Sequence, residues 1–314
     1  MAFPRPIHRW LWPAVIVVLL CTAGAGWWFR HDRIKPISAE QSLPRLNIAE
    51  LLAGHSADWR VARLKENPAV MVIEFPGLAE QGAAMNRIAA LLEKADAPRD
   101  RVLDDRSLAA LIARAGDNAQ TFYQGHDYTD AGLAHFFGLA EAQAVKLNAQ
   151  ELRLLRVLSA AGLMATGRRA PSEAADPSPQ ALITFTATQA DDPATPIDEG
   201  VDAVRRSSVL RHEASHGRFY TRPVYRKHCI HLWRDQLTER QRENIRGFLA
   251  GIGYDRRNEE LMLNEAQAFL MNTADSRAFN AAAVGMTEPE LAEVRNRFWQ
   301  TLPAEVAEGA HARP

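Results

Sequence analysis

Two histidines four residues apart, His212 and His216, enclose a glutamate on a proline-free stretch running from Val204 to Gly217. At 3.6 residues per turn, a helix there projects both imidazoles from one face, with Glu213 about 100° around the barrel. Such a face is either solvated, with two incidental histidines, or turned inward onto something that wants two nitrogen donors. The surroundings favour the second. Four of the ten histidines, at 212, 216, 228 and 231, fall within twenty residues. An alternating, β-branched run, Ala181–Ala187, precedes the motif and predicts a strand, and Gly217 is expected to let the chain turn away after His216.

Two imidazoles at this spacing can hold one metal ion, with Glu213 beside the ion's open position rather than on it. That is where a general base is wanted, to take a proton from an activated water and pass it to a leaving amine. Zinc is the expected cofactor, one ion per chain, because it suits imidazole and carboxylate ligands and brings no redox chemistry. A catalytic zinc site needs a third protein ligand. The spacing that supplies a third histidine is excluded, since Phe219 and Arg222 occupy the positions it would use. Glu265 is the better candidate. It lies in the apolar run Leu261–Leu270, on the helix face of Leu261 and Ala268, beside the small residues Ala266 and Ala268. A carboxylate buried there must be paired, protonated or metal-bound. The competing readings are a surface glutamate, or a buried salt bridge to Arg211, Arg218 or Arg246.

His212-Glu213-Ala214-Ser215-His216, followed by Asn264-Glu265-Ala266-Gln267-Ala268, resembles the gluzincin branch of the zincin metallopeptidases. The resemblance covers residues 181–273 at most. It implies His212, His216 and Glu265 as zinc ligands, Glu213 as general base, and an upstream strand that pairs with an extended peptide substrate. The 48 residues between His216 and Glu265 exceed the gap of compact members, and the aspartate that some members carry after the second motif is missing. For stabilising the oxyanion, Tyr220, Tyr225, His228 and His231 are near in sequence, with Tyr225 and His231 as the candidates for a catalytic role. The cluster Gly125–Asp130 either lines a pocket or binds a second cation, or is a turn into a helix capped by Thr129 or Asp130.

The rest of the chain sets the context. With 47% hydrophobic and 24% charged residues it is neither disordered nor collagen-like. A net charge of −1 gives no sign of nucleic-acid binding. No charged side chain occurs from Trp10 to Phe29. Twenty helical residues span roughly 30 Å, a bilayer's hydrocarbon thickness. Trp10, Trp12, Trp27, Trp28 and Phe29 mark its ends. Residues 1–35 are thus expected to be a cytoplasmic stub and a single transmembrane anchor in the inner (cell) membrane, holding a periplasmic or extracellular domain. A cleaved signal peptide, with Ala23-Gly24-Ala25 at its end, is the alternative. Residues 1–35 carry five Lys/Arg against one acid, leaving about −5 on residues 36–314.

Beyond the anchor, residues 36–166 are expected to form an α/β region of unassigned role, beginning with a helix around Ala49–Leu64 and a strand at Ala69–Phe75. Residues 167–180, rich in Pro, Ser and Ala, read as a linker, and residues 181–314 as a zincin-like region. The predicted fold is α+β and helix-rich, with an N-terminal transmembrane helix. The expected function is a membrane-anchored zinc metallopeptidase acting on peptide or protein. The alternative is a membrane-anchored, non-catalytic scaffold or binding protein with a structural zinc or none.

Overall fold

A computed structural model describes residues 43–164 and 179–307. Its architecture is built around the strand β3 (Val70–Phe75), every residue of which is buried. Side chains alternate along a strand, so Met71, Ile73 and Phe75 enter one apolar core while Val70 and Val72 enter another. The other strands are β1 (Arg45–Leu46), β2 (Arg60–Leu64), β4 (His126–Thr129) and β5 (Ala181–Thr186), in the order β1-β2-β3-β5-β4. The sheet is mixed: β1 runs parallel to β2 and β3 to β5, whereas β2–β3 and β5–β4 are antiparallel.

On the first face lie α2 (Leu78–Leu92), α4 (Asp130–Ala142) and α5 (Ala149–Ala160), which contribute Met85, Ile88, Phe136, Leu154 and Leu158 to the core. Two shorter helices, α1 (Ile48–Ala53) and α3 (Asp105–Arg114), flank the sheet's connections. On the second face lies α6 (Ala203–Thr221), packed through Leu210 and Ala214. It is followed by α7 (Pro223–His231), a wide helical turn at Leu232–Gln236, α8 (Glu239–Gly251), α9 (Glu259–Asn272), α10 (Glu288–Thr301) and α11 (Ala304–Ala307). These helices enclose a third core that contains Tyr225, Trp233, Leu249, Met262 and Phe298.

Two devices fix α6 on the sheet. Near its start, Arg206 donates to buried Glu74 of β3 at 2.6 Å and to the carbonyls of Leu51, Leu52 and Gly54. Near its end, Gly217 lets the backbone come close: a Cβ there would stand 2.9 Å from both γ-carbons of Val70. Gly217 therefore permits packing rather than the expected turn, and the helix runs on to Thr221.

The α+β, helix-rich character matches the expectation, but several particulars differ. The stretch expected as a helix around Ala49–Leu64 divides into α1 and β2. Gly125–Asp130 contains a strand, β4, before Thr129 caps α4 by accepting from Gly132 N at 3.1 Å. Strands from residues 36–166 and from residues 181–314 share one sheet, and the expected linker falls almost wholly outside the described residues.

The membrane-anchored fold and the single-pass inner-membrane localisation require correction. Among the described residues no helix is long and apolar enough to cross a membrane. The longest, α6, has 19 residues but carries Arg205, Arg206, Arg211, Glu213 and Arg218, charges that hydrocarbon does not tolerate. Trp10–Phe29, which carried the expectation of a transmembrane helix or a signal peptide, lies outside the described residues.

Candidate metal centre

His212 and His216 project from α6 towards α9, which presents Glu265 back to them. Glu265 Oε2 lies 3.6 Å from His212 Nε2 and 3.7 Å from His216 Nε2. Ligands held at 2.0–2.1 Å around a tetrahedral ion stand about 3.3–3.4 Å apart, so the three atoms are nearly at coordination spacing. His216 is completely buried and Glu265 is 1% exposed, while the His212 side chain keeps 12% exposure at the edge of the cleft. His216 Nε2 and Glu265 Oε2 have no hydrogen-bond partner. Buried polar atoms are nearly always satisfied, so their orphaning marks a position for a group that supplies positive charge. The described residues hold two such groups that could bind a metal ion: His212, His216 and Glu265; and Asp127, Glu213 and His216.

The arrangement around His212 fixes its tautomer. Thr273 Oγ1 donates to Ala268 O at 3.2 Å, so its lone pair accepts from His212 Nδ1–H at 2.8 Å. Nε2 is thereby left with a free lone pair, as in imidazoles that bind a metal through one nitrogen while the other donates to a neighbour. Phe269 packs against the same ring at 4.7 Å between centroids. Burial lowers His212 to a pKa of about 3 and His216 to about 4, the latter partly offset by Glu265. Both rings are neutral at ordinary pH, as ligands must be.

The carboxylates shift the opposite way. Burial raises Glu265. Glu213 is pushed well above the usual range by burial, then by repulsion from Glu265 and Glu93. Asp127 is raised well above it by burial and by Glu213, Glu93 and Glu265. Glu93, against the hydroxyls of Tyr123 and Tyr128, rises to about 8, chiefly through burial. Four buried acids repel one another here, and a divalent cation would relieve all of them.

Glu213 Oε2 has no partner, and its other oxygen lies against the backbone of β4's approach. A Cβ on Gly125 would stand 2.3 Å from Glu213 Oε1, so only glycine leaves room for this carboxylate. Glu213 and His212 face a cleft of about 1280 Å³ that also reaches Tyr123, Gly125, Tyr254 and Phe269.

The competing fates of Glu265 do not occur: it is not at the surface, and the groups facing its Oε2 are two imidazoles rather than an arginine. Other glutamates of the helical region are paired with arginines, Glu239 with Arg242 and Arg246, Glu259 with Arg246, Glu260 with Arg226, and Glu243 with Arg256. Neither Tyr225 nor His231 joins the site. Tyr225 is buried in the helical core and donates to Gln267 Oε1 at 2.8 Å. His231 is 55% exposed and pairs with Asp235 at 2.7 Å. His228 bonds Phe298 O at 3.0 Å.

Tyr220, one turn beyond His216, does reach the centre. It donates to Asp127 Oδ1 at 2.6 Å and accepts from Asn264 Nδ2 at 3.1 Å, while Asp127 Oδ2 stands 3.6 Å from His216 Nε2. Asn264, Tyr220 and Asp127 thus link α9, α6 and β4 around the histidines. The strand expected to pair with substrate, Ala181–Ala187, is interior: β5 is flanked by β3 and β4. β4 is the edge strand at the centre. Set beside models of protein families, curated proteins and solved structures, the chain matches none of them.

Proposed function

We propose that the chain is a zinc-dependent metallopeptidase of gluzincin type, holding one zinc through His212, His216 and Glu265 and using Glu213 as general base. The observation that supports it most is the convergence of two imidazole nitrogens and one carboxylate oxygen at 3.6–3.7 Å beside a second, unpartnered carboxylate. Zinc, when bound, supplies Lewis acidity that polarises the scissile carbonyl and makes a water nucleophilic.

The chain's residues do the rest. Glu213, raised by burial and by its acidic neighbours, is matched to accept a proton from the attacking water and return it to the leaving amine. Thr273 holds His212 in register, and the Asn264–Tyr220–Asp127 chain places a carboxylate oxygen 3.6 Å from His216 Nε2, beside the metal position. An extended peptide can enter the cleft at Gly125, which lies against Glu213.

Glu213→Gln tests this reading. It keeps the shape of the side chain and leaves the ligands intact, so metal content and melting temperature should stay unchanged while peptide hydrolysis falls by about 10²–10⁴-fold. Equal hydrolysis by the variant would remove the mechanism.

A further inference from the structure

The cleft that exposes His212 and Glu213 has a cation built into its wall, Lys94. The residue follows α2 and pairs with the loop after α8: Lys94 bridges Tyr254 antiparallel, and Ala95 N donates to Gly253 O at 3.1 Å. Gly253 has φ +95, and a Cβ there would stand 2.9 Å from Lys94 Nζ, so this loop is shaped to admit the ammonium. The ammonium lies 4.7 Å from the ring centroids of both Phe122 and Tyr123. Its hydrogen bond runs to Ile252 O at 3.2 Å.

An ammonium has three donors. Lys94 is only 7% exposed, and burying a cation that is incompletely satisfied is costly. Asp117 and Glu93 act on it through space, while burial lowers its pKa. None of the described ion pairs includes it. Other cations of the wall are already matched: Arg205 with Asp198 and Asp275, Arg256 with Glu243, and Arg257 with Asp255. Arg114 stands at the exposed rim.

One short stretch of chain sets both parts of the cleft: Tyr123 lies under the ammonium, and Gly125, two residues on, lies against Glu213.

We propose that Lys94 is a specificity-determining residue that receives a substrate carboxylate, either the carboxylate ending the peptide or that of an Asp or Glu side chain. The proposal rests on the peptidase reading for its substrate, but its binding step can be measured without turnover.

The test uses the full chain carrying Glu213→Gln, loaded with zinc, and three fluorescein-labelled pentapeptides read by fluorescence anisotropy. One ends in a free carboxylate, one in an amide, and one ends in an amide but carries a single glutamate. At least one carboxylate form should bind about 10-fold or more tightly than the plain amide, as a charged hydrogen bond allows. Which form wins identifies the source. Adding Lys94→Met should abolish the difference, and Lys94→Arg should retain part of it. Equal or absent binding of all three, or a preference that survives Lys94→Met, overturns the proposal. The carboxylate–amide contrast is read with Lys94 intact, so it stands even where Lys94→Met does not fold. Failure of the peptidase reading has a different signature: protein with Glu213 intact cleaves no peptide, yet the Lys94-dependent preference remains.

Discussion

Helix α6 carries two buried clusters of charge, and they are built on opposite principles. Near its start, Glu74 accepts from Arg60 at 3.2 Å and from Arg206 at 2.6 Å, while Arg206 also bonds three backbone carbonyls. The carboxylate is matched by two guanidiniums, whose donors are mostly used. Roughly two to three turns further on, His216, Glu213 and the facing Glu265 are comparably buried with His212 at their edge, yet three of the four present atoms with no partner. The first cluster matches its carboxylate with guanidinium from within the chain, leaving only Arg206 Nε without a partner, and joins helix to sheet. The second is a surplus of negative charge and free nitrogen that only something from outside the chain can balance. Burial of charge is common to both, so it is the satisfaction of charge that separates a structural site from a functional one.

The sharpest way to break this contrast is to neutralise one carboxylate in each cluster. Glu74→Ala leaves Arg206 buried without its counter-charge and should cost about 3–5 kcal/mol of stability in urea unfolding. Glu265→Gln, measured on metal-free protein, removes an uncompensated charge and should leave stability equal or higher. Comparable losses in both would erase the distinction drawn between the clusters.

A smaller effect is expected at Thr273. Thr273→Val removes the acceptor for His212 Nδ1–H and should lower metal affinity about 10–100-fold, as loss of the group orienting a ligand does. Thr273→Ser restores the hydroxyl and should restore affinity. If Val binds metal as tightly as Thr, the ring is oriented by packing on Phe269 alone.

The mildest prediction concerns pH. His212 and His216 fall in the folded chain from the usual 6.5 to about 3 and about 4. The unfolded chain therefore binds more protons in that window, and their contribution to stability, full above 6.5, is lost as pH falls towards 3–4. Glu93 rises from 4.5 to about 8, and Asp127, Glu213 and Glu265 also rise. The folded chain holds protons there that the unfolded chain releases, so that contribution is lost as pH climbs from about 4.5 to about 8. Metal-free protein should be most stable at roughly pH 5–6. Added zinc, which competes with protons for these ligands, should raise the melting temperature more at pH 8 than at pH 5.5. A larger gain at the acidic end would contradict these shifts.

What the sequence disclosed follows from the range of the interactions. His212, Glu213 and His216 are legible because helical geometry alone sets them on neighbouring faces, and Glu265 because a carboxylate in an apolar helical run needs a reason to be there. Asp127 was visible only as part of a polar cluster. Its place beside His216 depends on β4 pairing with β5, more than fifty residues away in the chain. Four residues of strand containing His, Asp and Thr carry too little pattern to announce an edge strand. Thr273 and Tyr220 join the centre for the same reason, through the packing of α9 on α6. Tyr225 and His231 were chosen for nearness in sequence, but the chain bends at Arg222, with ψ 94, and α7 carries both elsewhere. Gly217 looked like a stop because glycine ends many helices; its actual neighbour is Val70 across a tight interface. Hydropathy pointed to a membrane helix in residues that the structure does not describe, and none of the described helices supplies one.

The central claim is that the unpartnered cluster on α6 and α9 is a metal site. Elemental analysis of the purified full chain, prepared without added metal and repeated for Glu265→Gln, addresses it most directly. About one zinc per chain is expected in the unaltered protein, with a sharp loss in the variant. No bound metal, together with no rise in melting temperature when zinc is added, would contradict it.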